Sequence, residues 1–460
     1  MNDAVHAAPV AATYPPWVAG LARQLARVFF QRVEVIGAAA VPRHRPLLYV
    51  ANHNNGLIDP LLLIGFLPGR PRFLAKSTLW RNPILRPFLA LGRVIPVYRR
   101  QDPGFSAAAN EQTFARCQEG LAAGGAVALF PEGISHSAPG LAELRTGSAR
   151  IAVGTLERFG DVGLRIVPVG LLFDARERFR SRVLVKVGAA IDPATALAAG
   201  DRPQQVRQLT ALLADALAAV TLGYPSWEEA RLIERAAELY LHPEPELPGR
   251  QPMAPSFATL RAFSEEYRRL LRERPEEVAA LAAELADYDG LLRAFGLRDV
   301  QVAAAYPLPS VARFAAGSVA VLLLRLPLAL AGMALGWIPY RICGWLGARV
   351  AHRPDQPATY KLFGGLVLYP LFWAAEAVVA ARWAGWPGAL AVLALGPIGG
   401  WAAVRFLGRL RLLLTEARAY LLLRRKRGLG RELRARRQRI RERIVVLADG
   451  PTPGHRGAGS

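Results

Sequence analysis

Cysteine is nearly missing: there are two in 460 residues, Cys117 and Cys343. That excludes a disulfide scaffold and a cysteine-rich zinc module. The seven histidines are scattered without the paired spacing of metal ligands, so no metal site is expected. No Gly-x-Ser-x-Gly elbow stands near a plausible triad, which removes the serine-hydrolase reading. Internal repeats are absent as well. The opening MNDAVHAAPVAATYPP has no basic flank followed by an apolar run. A cleavable signal peptide is therefore not expected, and the N-terminal part should face the cytoplasm. Acidic residues are scarce, 36 against 58 Lys and Arg, for a net charge of +22. Charged residues make up only 20% of the chain and hydrophobic ones 52%. Such a chain is too apolar for disorder and unusually apolar for a purely soluble enzyme. A chain this basic and this apolar points to nucleic acid or an anionic membrane surface as its partner.

The composition changes twice along the chain. From Trp17 to about Pro193, short runs rich in Val, Ile and Leu alternate with mixed helical stretches. The strands are expected at Arg32–Ile36, Leu47–Ala51, Phe73–Ala75, Val94–Tyr98, Ala126–Phe130, Ile166–Phe173 and Val183–Gly188. A proline-free segment, Ala107–Ala123, reads as one of the helices between them. Strands alternating with helices give an α/β domain, expected over 17–200. A helical, more polar region follows over 201–305, because apolar residues recur three and four apart. Its Pro-rich stretch His242–Pro255 reads as a loop.

Membrane-embedded segments are expected over 306–407, and a basic helical tail with a disordered end over 408–460. Trp383–Val404 runs 22 residues without a charge, long enough to cross a hydrocarbon core about 30 Å thick. Leu362–Ala381 is nearly as apolar but carries Glu376, and Phe314–Tyr340 carries Arg325, Pro327 and Pro339. The loop Arg341–Lys361 and the tail Arg405–Arg443 are both basic, the tail holding 15 Lys and Arg against 3 Glu. Both should therefore be cytoplasmic. The short turn Arg382–Gly385 makes the second and third runs a hairpin that enters and leaves on one side. The first run must return to its own side, so it reads as a re-entrant or in-plane element broken at Arg325–Pro327.

Four blocks carry chemistry. Asn52-His53-Asn54-Asn55-Gly56-Leu57-Ile58-Asp59-Pro60 follows the strand LLYVA, so His53 stands at a strand end, where α/β sites are built. A neutral imidazole takes a proton from a hydroxyl, and a carboxylate on its other nitrogen fixes the tautomer. Without that pairing, the same residues would simply cap a turn and the next helix. In the second block, Gly92-Arg93-Val94-Ile95-Pro96-Val97-Tyr98-Arg99-Arg100, a strand delivers two arginines of the kind that fork onto phosphate. The third, Phe130-Pro131-Glu132-Gly133-Ile134-Ser135-His136-Ser137, again follows a strand. Gly133 allows close backbone approach to a ligand, and Glu132 is placed to brace an arginine or hold a substrate hydroxyl. His136 reads as a capping or packing residue. The fourth, Ile166-Val167-Pro168-Val169-Gly170-Leu171-Leu172-Phe173, reads as a core strand.

In this order and spacing the blocks resemble the glycerolipid acyltransferase family, the glycerol-3-phosphate and lysophosphatidate acyltransferases. The resemblance covers about residues 17–200. Two features depart from the commoner pattern: five residues rather than four separate His53 from Asp59, and FPEGISHS replaces FPEG-Thr-Arg-Ser. Both resemble the membrane-bound glycerol-3-phosphate/dihydroxyacetone-phosphate branch, which also carries apolar segments after its catalytic domain. The resemblance implies that His53 deprotonates an acceptor hydroxyl that attacks an acyl thioester, with Asp59 orienting His53 and no acyl-enzyme. It implies substrate contacts from Asn52, Lys76, Arg99, Glu132, Gly133, Ser135 and Arg145, with Arg99 on the acceptor phosphate. Acyl-CoA or acyl carrier protein is the co-substrate, and no other cofactor is implied. The acceptor stays open between glycerol 3-phosphate and lysophosphatidate. Cys117, in ARCQEGL, reads as a core residue. The rival from another class is a non-catalytic basic membrane scaffold whose tail binds anionic lipid or RNA. The tail lacks the aromatic interleaving of single-strand RNA readers, so no nucleic-acid partner is expected. The reading as a whole is an integral membrane enzyme with its catalytic domain facing the cytoplasm.

Overall fold

The computed structural model describes residues 13–83, 85–98, 107–175, 179–241, 253–303, 308–349 and 357–449. The chain packs as two compact units, Met1–Pro225 with Cys343–Gly364, and Ser226–Ile342 with Gly365–Ser460.

The first unit is built on one seven-stranded sheet. Its strands are β1 Arg32–Ile36, β2 Leu47–Ala51, β3 Arg72–Lys76, β4 Ile95–Val97, β5 Ala126–Leu129, β6 Arg165–Phe173 and β7 Arg182–Val187. They lie in the order β1-β7-β6-β2-β5-β3-β4. Only the β6–β7 pair is antiparallel; the other pairs are parallel. Each expected strand is present, with its ends shifted by at most a residue or two. The helices of this unit are α1 Pro16–Phe29, α2 Ile58–Phe66, α3 Arg86–Leu91, α4 Ala107–Ala122, α5 Gly147–Phe159, α6 Pro193–Ala196 and α7 Arg202–Val220.

The period of two along each strand divides the core into two layers. Leu47, Tyr49 and Ala51 of β2 point to the face covered by α1 and α2, among Ala22, Ala26, Phe29, Ile58 and Leu62. Leu48 and Val50 point the other way, toward Cys117 of α4, Ile151 of α5, and Leu209, Leu213 and Leu217 of α7. Covered on both faces, β2 and β5 are buried at every position, which is why LLYVA and AVAL show no polar alternation. The Asp201 carboxylate accepts the Gln204 N–H at 2.8 Å and starts α7 as an N-cap.

In the second unit, α8 Trp227–Leu241, α9 Met253–Glu273, α10 Pro275–Phe295, α11 Asp299–Ala303 and α14 Arg427–Asp449 are helical. Of the stretch expected as a loop, 242–252 lie outside the described residues, and Met253 to Pro255 open α9 instead. Pro255 falls in the first turn, where its missing N–H has no intrahelical partner to lose. The basic tail helix α14 buries Leu433, Ile440 and Ile444 among Leu239, Leu285, Tyr288 and Leu292. Its Arg437 is also buried, and its Nε lies 3.1 and 3.2 Å from the two oxygens of Asp299. The Tyr288 hydroxyl donates to the same carboxylate at 2.7 Å, and Arg235 approaches it to 3.4 Å. Burial, then the Asp299 charge, raises the Tyr288 pKa, so the hydroxyl stays protonated as a donor.

Two further helices are long and apolar enough to cross a membrane. The first, α12 Leu308–Arg349, corrects the sequence reading: it is unbroken at Arg325–Pro327 and runs through both Pro327 and Pro339. A proline forfeits one backbone bond and bends a helix, while the turns on either side keep theirs. The second, α13 Pro357–Arg425, is two arms, 357–384 and 386–425, meeting at Gly385 with φ +65°. That left-handed conformation favours glycine. The arms fold back on each other: a Cβ at Gly396 would fall 2.7 Å from the Trp373 indole nitrogen. The turn expected at Arg382–Gly385 is therefore where the helix reverses.

Replacing Asp299 by Ala removes the carboxylate that faces the buried Arg437 and Arg235 and accepts from Tyr288. Denaturant unfolding of the full chain should show the second unit weakened by about 3–5 kcal/mol.

Candidate active site

The neighbouring strands β2, β5, β3 and β4 run parallel and end on one edge of the sheet, which fixes what meets there. Neighbours β2 and β5 pair in register up to Val50 and Leu129, so the chain leaves both strands side by side. The loop with His53 follows β2 and the loop with Glu132 follows β5. On the far side of β5 lies β3, which ends at Lys76, opposite Val97 of β4. Arg99, two residues past β4, lies outside the described residues.

The first loop closes on Asp59. This residue is fully buried in the first turn of α2, where a carboxylate is favoured by the helix dipole. Pro60 tolerates that turn because its N–H would be unpaired there anyway. Asp59 Oδ2 accepts three hydrogen bonds: Asn54 N–H at 2.8 Å, Asn55 N–H at 2.7 Å and His53 Nδ1 at 2.9 Å. Capping the turn and pairing with the histidine are thus one arrangement rather than alternatives. Because Nδ1 donates, the neutral ring carries its lone pair on Nε2. The His53 side chain is 18% exposed, so the ring is not sealed into the core. Its ring stacks on Phe130 at 4.1 Å with planes 13° apart, which holds its orientation.

The second loop grips the first through Glu132, whose carboxylate is buried. Oε1 accepts the His53 N–H at 2.7 Å. Oε2 accepts the Ala142 N–H at 2.7 Å and meets His136 Nε2. The His136 N–H donates to the His53 carbonyl at 3.2 Å. Ser135 Oγ accepts the Gly56 N–H at 3.1 Å. Gly133 turns at φ +70°, and its N–H returns to the Phe130 carbonyl at 3.0 Å. The Arg145 N–H donates to the Pro131 carbonyl at 2.7 Å, and its side-chain stem passes over Gly133.

His53 and Asp59 are therefore brought together, and Glu132, Gly133, Ser135 and Arg145 are gathered around them. Asn52 and Glu132, expected against substrate, use their polar groups within the protein, and Ser135 Oγ accepts one hydrogen bond there. Asn52 ties β2 to β6: its amide donates to the Leu171 carbonyl at 3.0 Å and accepts the Leu171 N–H at 2.7 Å. Sequence reading missed the Phe130 stack and the Glu132–His136 contact; the latter was signalled only by a four-residue spacing inside a loop. Cys117 lies in the α4 core, where burial pushes its thiol pKa up to about 12, so it offers no thiolate nucleophile.

The Acyltransferase family model matches residues 32–172, which contain all of these groups. A glycerol-3-phosphate O-acyltransferase of Saccharomyces cerevisiae is 30% identical over 202 residues, 42% of this chain and 26% of that protein. A second yeast glycerol-3-phosphate O-acyltransferase is 30% identical over 131 residues, 27% of this chain and 17% of that protein. An uncharacterised acyltransferase of Schizosaccharomyces pombe is 33% identical over 124 residues, 26% of this chain and 18% of that protein. The matches thus span about a quarter or less of these relatives' length. Among solved structures, a 1-acyl-sn-glycerophosphate acyltransferase of Thermotoga maritima overlaps 44% of this chain and 78% of its own, at 19% identity and a TM-score of 0.34. Family match, relatives and the four blocks agree on the same segment: residues 32–172 form an acyltransferase domain, similar in sequence to glycerol-3-phosphate O-acyltransferases.

Proposed function

We propose that this protein moves a fatty acyl group from an acyl thioester to a hydroxyl of glycerol 3-phosphate. The observation that carries the reading is the 2.9 Å contact between His53 Nδ1 and the buried Asp59, which leaves Nε2 as the ring's basic nitrogen. Nε2 takes the proton of the acceptor hydroxyl as its oxygen attacks the thioester carbonyl. Collapse of the tetrahedral adduct expels the thiolate, which leaves with the proton returned from His53. Asp59 stabilises the imidazolium between those steps. Asn52, Glu132 and Ser135 hold the loops, while Lys76, Arg99 and Arg145 supply positive charge for the acceptor phosphate. The names of the two Saccharomyces relatives support glycerol 3-phosphate as acceptor, and the donor is acyl-CoA or acyl carrier protein.

The apolar helices fit an enzyme whose donor and product are both amphiphiles. Only 17% and 11% of their most apolar stretches are buried within the fold, whereas a soluble core helix is mostly covered. Each arm of the α13 hairpin offers about 20 apolar residues, roughly 30 Å of helix. Trp383 and Trp386 stand exposed on either side of the Gly385 turn, as interfacial aromatics do. The hairpin would anchor the protein, and the tail's exposed Lys and Arg would meet anionic lipid on the cytoplasmic leaflet. Each such charge contributes about 1 kcal/mol near the surface.

Three measurements test this reading. With purified protein in detergent, His53→Ala should abolish transfer to glycerol 3-phosphate. Asp59→Asn should lower the rate by about 10²–10⁴-fold. Full turnover in the His53 variant would sink the mechanism, and turnover confined to lysophosphatidate would replace the acceptor. Arg99→Lys keeps charge but loses the bidentate fork, so the acceptor KM should rise far more than the donor KM. Alkaline carbonate washing should leave the protein in the membrane pellet; quantitative release would mean the apolar helices are not embedded.

A further inference from the structure

His136 takes no part in the chemistry proposed above, yet its environment is built around it. The side chain is 13% exposed and touches a Glu132 carboxylate that is fully buried. Its Nε2 faces Glu132 Oε2, while its Nδ1 accepts the Ala138 N–H at 3.1 Å. A neutral ring satisfies both neighbours only as the Nε2–H tautomer, donating to the carboxylate and accepting from the backbone. Glu132 in turn holds the His53 N–H through its other oxygen, and the His136 N–H holds the His53 carbonyl. The peptide groups on both sides of His53 are thus fixed from the same loop.

We infer that His136 is a positioning residue for His53, acting through Glu132. A buried carboxylate keeps its place only while donors surround it. Glu132 Oε2 has two among the contacts described, the Ala142 N–H and the His136 ring. Without the ring, Oε2 keeps the Ala142 bond alone, and the carboxylate turns toward another donor or toward water. Oε1 then lets go of the His53 N–H. The histidine remains paired with Asp59 but loses the backbone anchor that sets where Nε2 points. A base displaced by about 1 Å costs on the order of 10²-fold in rate. Neither substrate need bind less tightly, because no group that touches them has been removed. FPEGISHS carries its bracing donor four residues after the glutamate, which gives the His136 departure from the commoner block a physical purpose.

This inference rests on the proposed role of His53, and two readouts keep them apart. The variants are His136→Ala and His136→Gln, in the full-length protein, since a Gln amide can donate where Nε2 does. Kinetics are read on whichever of glycerol 3-phosphate and lysophosphatidate the native protein acylates. His136→Ala should lower kcat by about 10–10²-fold with both KM values within about threefold. His136→Gln should restore most of it. Amide hydrogen exchange, which needs no turnover, should quicken by about tenfold or more in peptides covering 52–56 for the Ala variant. Exchange there should stay near native for the Gln variant, and strand β2 should stay protected in both. Native kcat and native exchange in His136→Ala overturn the inference even if His53→Ala is inactive. A raised acceptor KM in both variants overturns it too, placing His136 against the substrate. If His53→Ala keeps full activity the mechanism fails, and the exchange result alone then decides whether His136 braces that loop.

Discussion

Everything at the candidate site depends on one carboxylate oxygen. Asp59 Oδ2 gathers the N–H groups of Asn54 and Asn55 together with His53 Nδ1, all at 2.7–2.9 Å. A fully buried anion is tolerable only when such donors replace the water it lost. The same bonds that make the charge affordable shape the loop, so the turn cannot close without presenting the histidine. Its position in the first turn of α2 adds the helix dipole to that balance. Fold and chemistry meet in this one group, because the loop's stability and the histidine's tautomer have a common cause.

The sheet supplies the second constraint. Parallel neighbours β2 and β5 send their following loops out at the same edge, so His53 and Glu132, 79 residues apart in sequence, come within one hydrogen bond. Asn52 ties that edge to β6 through both groups of its amide, across a separation of 119 residues. A two-sided apolar core holds the strands in this register, since sliding one strand by a residue would turn its buried side chains to the wrong layer. Rigid strand ends beneath short loops are what a proton-transfer site needs, because the groups must be in place before substrate arrives.

The second unit uses charge differently. Its basic tail helix is in part a structural element: Arg437 is buried on Asp299, and Leu433, Ile440 and Ile444 pack into the helical core. Counting charges along the tail overstates how many face outward. The apolar helices show the opposite economy, with large side chains such as Leu324, Trp337, Trp383 and Trp386 left exposed. Exposed area of that kind is stable in contact with lipid rather than water.

Much of the fold was legible in the sequence. Strand periodicity and turn residues located all seven strands because each is a short, largely apolar run with Gly, Pro or Asn within two residues of at least one end, and that local pattern survives without tertiary context. The pairing of His53 with Asp59 was legible too, since six residues of separation at a helix start leave the two side chains within reach. The hairpin turn was marked by the short charged break at Arg382–Gly385. Local pattern misled at Arg325–Pro327, where proline chemistry predicted a break that the continuous α12 absorbs. Only the tertiary structure decided what Glu132, Asn52 and His136 do. Each bonds to a partner chosen by strand order or loop approach, and neither composition nor spacing encodes which strand lies beside which. The sequence determined the elements and the His53–Asp59 pair because those depend on neighbours along the chain. The bracing of that pair waited on the fold because it depends on neighbours in space.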